Sequence, residues 1–590
     1  MQLLTKQKIF HTTETLLLLV FIFGILFYTN NSFVEQHVLP KVYIFVFFGL
    51  LFGLFWVSRS GGSVQWDGLT VSVVVFVGYI LIATVITSGR GLHILTLVGF
   101  LLLFFYFKGS TVENKYLHLI IVSLCLLQAI YGLLQYFQVV RITSVFPLLG
   151  SFDNPAGFAA CLAVAFPLAF SLLRFSKYYK WFAVVAMVVI GVAVVLSESR
   201  AGMVSIGVVL VIFFYSTCSE KLRKAWKYLI PATTIIGVAM FLFLLSLNRD
   251  SASGRVLIWQ NTWSMIQDAP VLGHGSGAFL AHYMDYQADY FAENPESRFA
   301  MLADNVQHPF NEYLLLAAEF GFVGLVLLLV VLFFLFWKRR KLQTCAGERL
   351  PYVLCLVALG VFSLFSYPLR YPFVWVVVAY CLAEVSKKDR HCGLDPQPPQ
   401  TIKRWRGIPN QVRNAMTIPV YIALVLFGGY ILAKDISFEY QWNKTAQASL
   451  LGQTEEMLPE YERLHRIWNG NHMFLYNFGA ELNHIGEHEK SNVILRQCLN
   501  YFNDYHVQML LADNYFHLEM WYDAQQHYRR AADMCPSRFI PLYQLHQIAL
   551  RQNNYDEARR IALAILEMPI KVPSMTVSRI RFEMQQFLGD

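Results

Sequence analysis

Residues 308–337 read HPFNEYLLLAAEFGFVGLVLLLVVLFFLFW, and this stretch decides the class of fold. From Tyr313 to Trp337 only Glu319 breaks a run of uncharged, mostly apolar side chains. Coiled as a helix, such a run crosses about 30 Å of hydrocarbon. Immediately before it, 248–307 forms an amphipathic insertion of roughly sixty residues, far longer than an ordinary connection. The insertion contains Ser253-Gly254-Arg255, Trp259 and Gly273-His274-Gly275. Long connections held by a rigid scaffold are where binding and catalytic residues concentrate. Chemistry at a water interface is therefore expected here.

Comparable apolar runs recur along the first three quarters of the chain. Spans are expected near 12–29, 41–57, 69–87, 91–107, 116–138, 156–173, 181–197, 202–217, 228–247, 311–337, 351–366, 371–385 and 416–433. Composition agrees: the 590 residues are 56% hydrophobic and only 15% charged, with mean hydropathy +0.44. A soluble protein of this size is not so apolar. The runs do not alternate apolar and polar residues, which excludes a closed barrel. The expected fold is all-α, a polytopic membrane helix bundle of about thirteen spans plus a soluble helical repeat region.

Lys and Arg set the orientation. One set of loops carries Lys6 and Lys8, Lys108 and Lys115, Arg174 to Lys180, Lys221 to Lys227, Lys338 to Lys341, and the cluster from Lys387 to Arg413. The alternate short loops carry single arginines: Arg90, Arg141, Arg200 and Arg370. The positive-inside rule then places the N-terminus in the cytoplasm and the 248–307 insertion outside. An odd number of spans sends the C-terminal region outside as well. These loops account for most of the net charge of +8, which implies no nucleic-acid partner. The first span lacks a small-residue cleavage site and reads as a retained anchor. The nine cysteines show no C-x-x-C spacing, so neither a zinc site nor a disulfide framework is expected. Cys498 and Cys535, both placed outside, are expected as buried free thiols, with a disulfide between them as the alternative.

After Lys434 the composition turns polar. The expected domains are 1–434, a membrane domain carrying the 248–307 insertion, with 386–415 as a cytoplasmic linker rich in proline, and 435–590, a periplasmic region. In the last, Tyr522-Asp523-Ala524 and Tyr555-Asp556-Glu557-Ala558 recur roughly 33 residues apart. Pro536 and Pro569 keep the same spacing. The pattern resembles the tetratricopeptide repeat, a helix–turn–helix unit whose stacking leaves a concave surface for binding.

Four constellations share the outer level: Gly150-Ser151-Phe152-Asp153-Asn154-Pro155, Ser197-Glu198-Ser199-Arg200-Ala201-Gly202, Ser253-Gly254-Arg255 leading to Trp259 and Trp263, and His308 through Tyr313 with Glu319-Phe320-Gly321. Each has a structural explanation. Asn154-Pro155 suits a helix cap. Arg200 suits snorkelling to headgroups. Trp259 and Trp263 suit an interfacial belt, and the glycines about His274 suit a tight turn. Taken together, arginines beside a histidine at a helix opening are what an anionic substrate at a membrane surface requires.

Ser199-Arg200-Ala201-Gly202, Gly254-Arg255 to Trp259, and His308 to Leu314 followed by Glu319-Phe320-Gly321 resemble the signature segments of the O-antigen ligase superfamily. That group includes O-antigen ligases, O-antigen polymerases and protein O-oligosaccharyltransferases. The resemblance covers roughly residues 10 to 385. It implies transfer of a glycan from an undecaprenyl-diphosphate carrier to an acceptor hydroxyl at the periplasmic face of the bacterial inner membrane. By resemblance Arg200 and Arg255 bind the diphosphate, His308 is the base, Glu312 orients or replaces it, and Asn154 and Asn311 lend support. Imidazole titrates near neutrality and guanidinium forks match phosphate oxygens, so the residue types suit those roles. The activated donor supplies the energy, so no cofactor is expected; no P-loop or dinucleotide fingerprint is present. No metal is expected either.

Many family members place a histidine directly before the Asn of this motif, where this chain has Phe310. On a helix, moving the base candidate two residues back to His308 turns it by about 200°. Pro309 is the residue that would take the stretch out of helix. The acceptor stays open between lipid A–core, a protein and a second glycan. A protein partner for the repeats is a further expectation. A lipid-linked glycan flippase is the alternative of another class; it calls for internal repeats and mid-membrane charges, neither of them evident here.

Overall fold

The computed structural model describes residues 2–60, 63–87, 91–142, 144–217, 249–341, 346–387, 410–468 and 470–589. Among them the chain is all-helical, without a strand. It divides into two compact units. The first holds Met1–Ile236, Phe310–Glu312 and Gly324–Glu439; the second holds Gly237–Pro309, Tyr313–Val323 and Tyr440–Asp590.

Nine helices among the described residues are long and apolar enough to cross a membrane: Leu39–Arg59, Gly68–Thr87, Gly91–Gly109, Asn114–Tyr136, Pro155–Leu172, Lys177–Leu196, Arg200–Thr217, Glu312–Trp337 and Pro419–Leu450. Thr12–Phe27 and Pro372–Ser386 are shorter apolar helices. The protein is thus a multi-pass membrane protein. The expected span at 228–247 and most of the 386–415 linker lie outside the described residues. The stretch expected at 351–366 belongs to the helix Ala346–Ser363.

In the first unit the helix Pro155–Ala165 is the centre: every residue from Gly157 to Ala165 is buried, and it is apolar on all sides, as a helix enclosed by others must be. The sequence reads 156–173 as one span. The chain runs so, as Pro155–Leu172, with its hydrogen-bond ladder loosened at Phe166-Pro167, both still helical in conformation, because Pro167 has no N–H to give. Lipid supplies little hydrophobic drive between helices, so close packing has to hold them. Gly49 and Gly99 let the helices Leu39–Ser60 and Gly91–Gly109 touch backbone to backbone; a Cβ on Gly49 would sit 2.9 Å from the Gly99 Cα.

In the second unit the insertion is largely helical, as Arg249–Asp268 and Ala278–Glu293. The C-terminal region is a series of short helices from Thr454–Ile467 to Met575–Gly589, packed on their neighbours in chain order. The recurring segments take equivalent places. Tyr522-Asp523-Ala524 lies in the first turn of Trp521–Met534, and Tyr555-Asp556-Glu557-Ala558 opens Tyr555–Glu567. Ala524 and Ala558 are fully buried, a small side chain at each equivalent place. Asp504 and Asn471 cap the helices that follow them by accepting two backbone N–H groups each. Cys498 and Cys535 are buried free thiols. Insertion and C-terminal helices share this unit, Ala278–Glu293 packing along Trp521–Met534.

Candidate functional site

Two of the four sequence segments, 150–155 and the Asn311-Glu312 end of 308–313, meet in the first unit around residues 364–371. Asn154 caps Pro155–Ala165: its side-chain oxygen accepts from Gly157 N at 2.8 Å. Its amide nitrogen donates to the Tyr371 hydroxyl, also at 2.8 Å, and that hydroxyl donates to Asp153 at 3.0 Å. Arg370 stands 3.6 Å from both Asp153 and Glu35. Burial pulls the Arg370 guanidinium down, and the two carboxylates hold it above its ordinary value. Glu312 accepts the backbone N–H of Leu369 at 3.0 Å, and Asn311 donates to the Leu364 carbonyl at 3.3 Å. Below this cluster the buried Lys41 donates to the Ser151 carbonyl at 2.7 Å and lies 4.0 Å above the Phe152 ring, which fixes the 150–155 loop.

Tyr371 and Asp153 were not among the expected site residues, and Arg370 was read only for its charge. A signal was present: Tyr367-Pro368 and Tyr371-Pro372 frame Arg370, and prolines at both places stiffen the turn Pro368–Arg370. Arg200 begins the helix Arg200–Thr217, with the Ser199 hydroxyl accepting from Gly202 N at 3.3 Å. Gly202 lets this helix approach the central one, since a Cβ there would lie 3.2 Å from the Ala159 Cβ. A cation at a helix N-terminus opposes the macrodipole, so Arg200 is not there to stabilise its helix.

The second unit holds Arg255 and His308. Trp259 lies one turn beyond Arg255 on the helix Arg249–Asp268, and its indole N–H donates to the Pro309 carbonyl at 2.9 Å. Trp259 therefore ties the His308-Pro309 segment to the Arg255 helix. Trp263 is half exposed. Phe310 has φ of 53°, and the next helix starts only at Glu312, so the stretch holding His308 is not helical. The 200° turn expected for a shifted histidine does not apply.

The span read as 311–337 is not continuous. Gly321, with φ 63° and ψ −168°, interrupts it in a conformation essentially restricted to glycine. In a straight helix Phe322 and Val323 would donate to the carbonyls of Ala318 and Glu319. Here they donate to Pro270 and Val271, at 2.8 and 3.2 Å. The freed carbonyls of Ala318 and Glu319 accept from His274 N and Gly275 N, both at 2.9 Å. The segment from Pro270 to Gly275 thus takes over the bonds of these two N–H groups and two carbonyls, forming a strap across the break, as a helix interrupted in lipid requires. The His274 ring N–H closes the turn by donating to the Met265 carbonyl at 2.7 Å.

The two glycines leave no room for substitution. A Cβ on Gly321 would lie 2.2 Å from the Val271 oxygen, and one on Gly273 would lie 2.4 Å from the Glu319 carbonyl carbon. Gly321→Ala is expected to lower the melting temperature of the purified protein clearly, since the backbone conformation alone costs about 1–3 kcal/mol with a side chain present. Gly78→Ala, which meets nothing within 4 Å, is the control and is expected to melt as the native protein does. Equal melting of the two variants would contradict the strap.

Among the described residues no group of three or more His, Cys, Asp or Glu side chains is arranged to hold a metal ion. On the C-terminal helices a groove of about 560 Å³ is lined by Gln525, Arg529, Asp533, Leu545, Gln552 and Ile561, among others. Its carboxylate Asp533 is pushed up to about 6 by burial, against the pull of Arg530 and Arg529.

The bundle, the interrupted helix and the insertion strapped to it define a multi-pass membrane protein with a polar, arginine-bearing insertion. Residues 182–329 match the family described as O-antigen ligase. The chain thus carries a domain of the O-antigen ligase superfamily, whose members are glycosyltransferase-like membrane enzymes. The matched segment contains Arg200, Arg255, His308, Asn311, Glu312 and both strap glycines; Asn154, Tyr371 and the C-terminal helices lie outside it. A search of the curated proteins found no match.

Proposed function

We propose that the protein moves a glycan from an undecaprenyl-diphosphate carrier to an acceptor hydroxyl at the periplasmic face of the bacterial inner membrane. The observation that carries this reading is that Arg255 and His308 belong to the matched segment and are joined through Trp259 and Pro309. In the reaction the acceptor oxygen attacks the anomeric carbon, and the bond from that carbon to the diphosphate oxygen breaks. The acceptor proton passes to His308, and undecaprenyl diphosphate leaves with the bonding electrons. Arg200 and Arg255 bind the diphosphate, whose negative charge grows as the bond breaks, and preorganised donors act most strongly where charge develops. Glu312, held at Leu369, is the second candidate for the base, with Asn154 and Asn311 supporting the site. The acceptor is lipid A–core in a ligase, Ser or Thr of a protein in an oligosaccharyltransferase, and another lipid-linked glycan in a polymerase. The groove on the C-terminal helices, polar at its rim with Leu545 and Ile561 in its floor, suits a protein partner.

Deletion of the gene tests the reaction. Bare lipid A–core identifies a ligase, lipid A–core carrying a single repeat identifies a polymerase, loss of protein glycans identifies an oligosaccharyltransferase, and unchanged profiles contradict glycan transfer. Orientation has its own test. In a variant stripped of native cysteines, a cysteine at exposed Tyr522 is expected to react with a membrane-impermeant thiol reagent in intact spheroplasts, and one at Gln397 is expected not to. The opposite labelling would overturn the periplasmic placement.

A further inference from the structure

Gln287, on the insertion helix Ala278–Glu293, is fully buried and every polar atom of its side chain is engaged. Its amide donates to the Met534 carbonyl at 2.7 Å and to the Asp304 carbonyl at 3.2 Å, while its oxygen accepts from the Tyr283 hydroxyl at 3.1 Å. Met534 ends the C-terminal helix Trp521–Met534, so one buried side chain stitches the insertion to the C-terminal region. Beside it Asp285 receives Arg530 at 2.8 and 3.0 Å, and Asn503 at 2.9 Å. Asp289 pairs with the same arginine. On the other side, Ala278–Glu293 packs against Arg249–Asp268, the helix of Arg255 and Trp259. Leu257, two residues beyond Arg255, is buried against Phe291 in that contact.

A module that only recruits an acceptor needs neither a buried amide bridge nor a forked ion pair to the insertion. Buried polar groups left without partners are costly, so these bonds fix one register of the insertion on the C-terminal helices. We propose that the C-terminal helices are a fixed part of the donor site: through Gln287 and the Asp285–Arg530 pair they position the helix that presents Arg255. Asp285, Gln287 and Arg530 are positioning residues. The inference rests on Arg255 as a diphosphate-binding residue.

The test uses the full-length protein, a lipid-diphosphate-linked glycan as donor, and steady-state kinetics at saturating acceptor. Asp285→Arg and Arg530→Asp are each expected to raise the donor KM about tenfold or more and to lower kcat as well, because what is lost is placement of a group that holds the diphosphate in the ground state and more strongly in the transition state. The combined reversal restores an ion pair and is expected to bring the KM back toward the native value, a non-additivity shown only by residues that act together. Where a reversal prevents accumulation, Asp285→Asn and Arg530→Gln remove the pair without adding repulsion and are expected to raise the KM about threefold. Native donor KM in the single variants overturns the proposal. So does an elevated KM in a double variant that melts as the native protein does. Full activity of Arg255→Lys would instead overturn the diphosphate reading, which keeps the two failures apart.

Discussion

Replacing His308 with alanine is expected to cut turnover by about 10²–10⁴-fold while donor affinity stays nearly native, the loss expected for a positioned general base. The residue lies in the irregular stretch before Glu312, tied to the Arg255 helix by the bond from Trp259 to Pro309. In the proposed reaction this imidazole takes the acceptor proton as the new sugar–oxygen bond forms and has no part in binding the carrier diphosphate. Donor affinity and turnover should therefore separate. Single-turnover transfer and donor competition, measured on the same preparation, make the comparison. Full turnover in His308→Ala, with loss in Glu312→Gln, would move the role to the carboxylate held by Leu369 N.

Arg255→Lys is expected to lose transfer by about 10²–10³-fold while the protein inserts, accumulates and melts normally. A lysine keeps the charge. It cannot present two parallel N–H donors to a diphosphate, and its compact ammonium is more strongly hydrated. The loss should appear as weakened donor binding together with slower chemistry, because charge on the leaving group grows toward the transition state. Normal activity in both Arg255→Lys and Arg255→Ala would remove this arginine from the site. Arg200→Lys is an independent comparison, since Arg200 opens a different helix.

Particular elements show how far the sequence could be read. The apolar runs declared themselves because lipid demands roughly twenty apolar residues per helix whatever the neighbours are. The helix break at Gly321 did not. An isolated glycine within an apolar run is ordinary in membrane helices, and only Gly273 lying against Glu319, with its neighbours carrying the exchanged bonds, shows that both are required. Asn154 was legible as a cap from Asn-Pro, a local signal; its second bond, to Tyr371, crosses 217 residues and leaves no periodic trace. Trp259 and Trp263, four apart, looked like one face of a helix at an interface, and that spacing carries no sign of the carbonyl fifty residues away that engages the Trp259 N–H.

The sequence by itself determined the all-helical membrane class, the length and polar character of the 248–307 insertion, and the order of Arg200, Arg255 and His308 along the chain. These follow from local composition and spacing, which hydrocarbon and helix geometry act on directly. Only the tertiary structure decided that the insertion and the C-terminal helices form one compact unit, and that Gln287 and Asp285 join them. It alone placed Tyr371 between Asp153 and Asn154. Hydrogen bonds and ion pairs between distant segments depend on which surfaces meet after the helices pack, and neither hydropathy nor periodicity encodes that meeting.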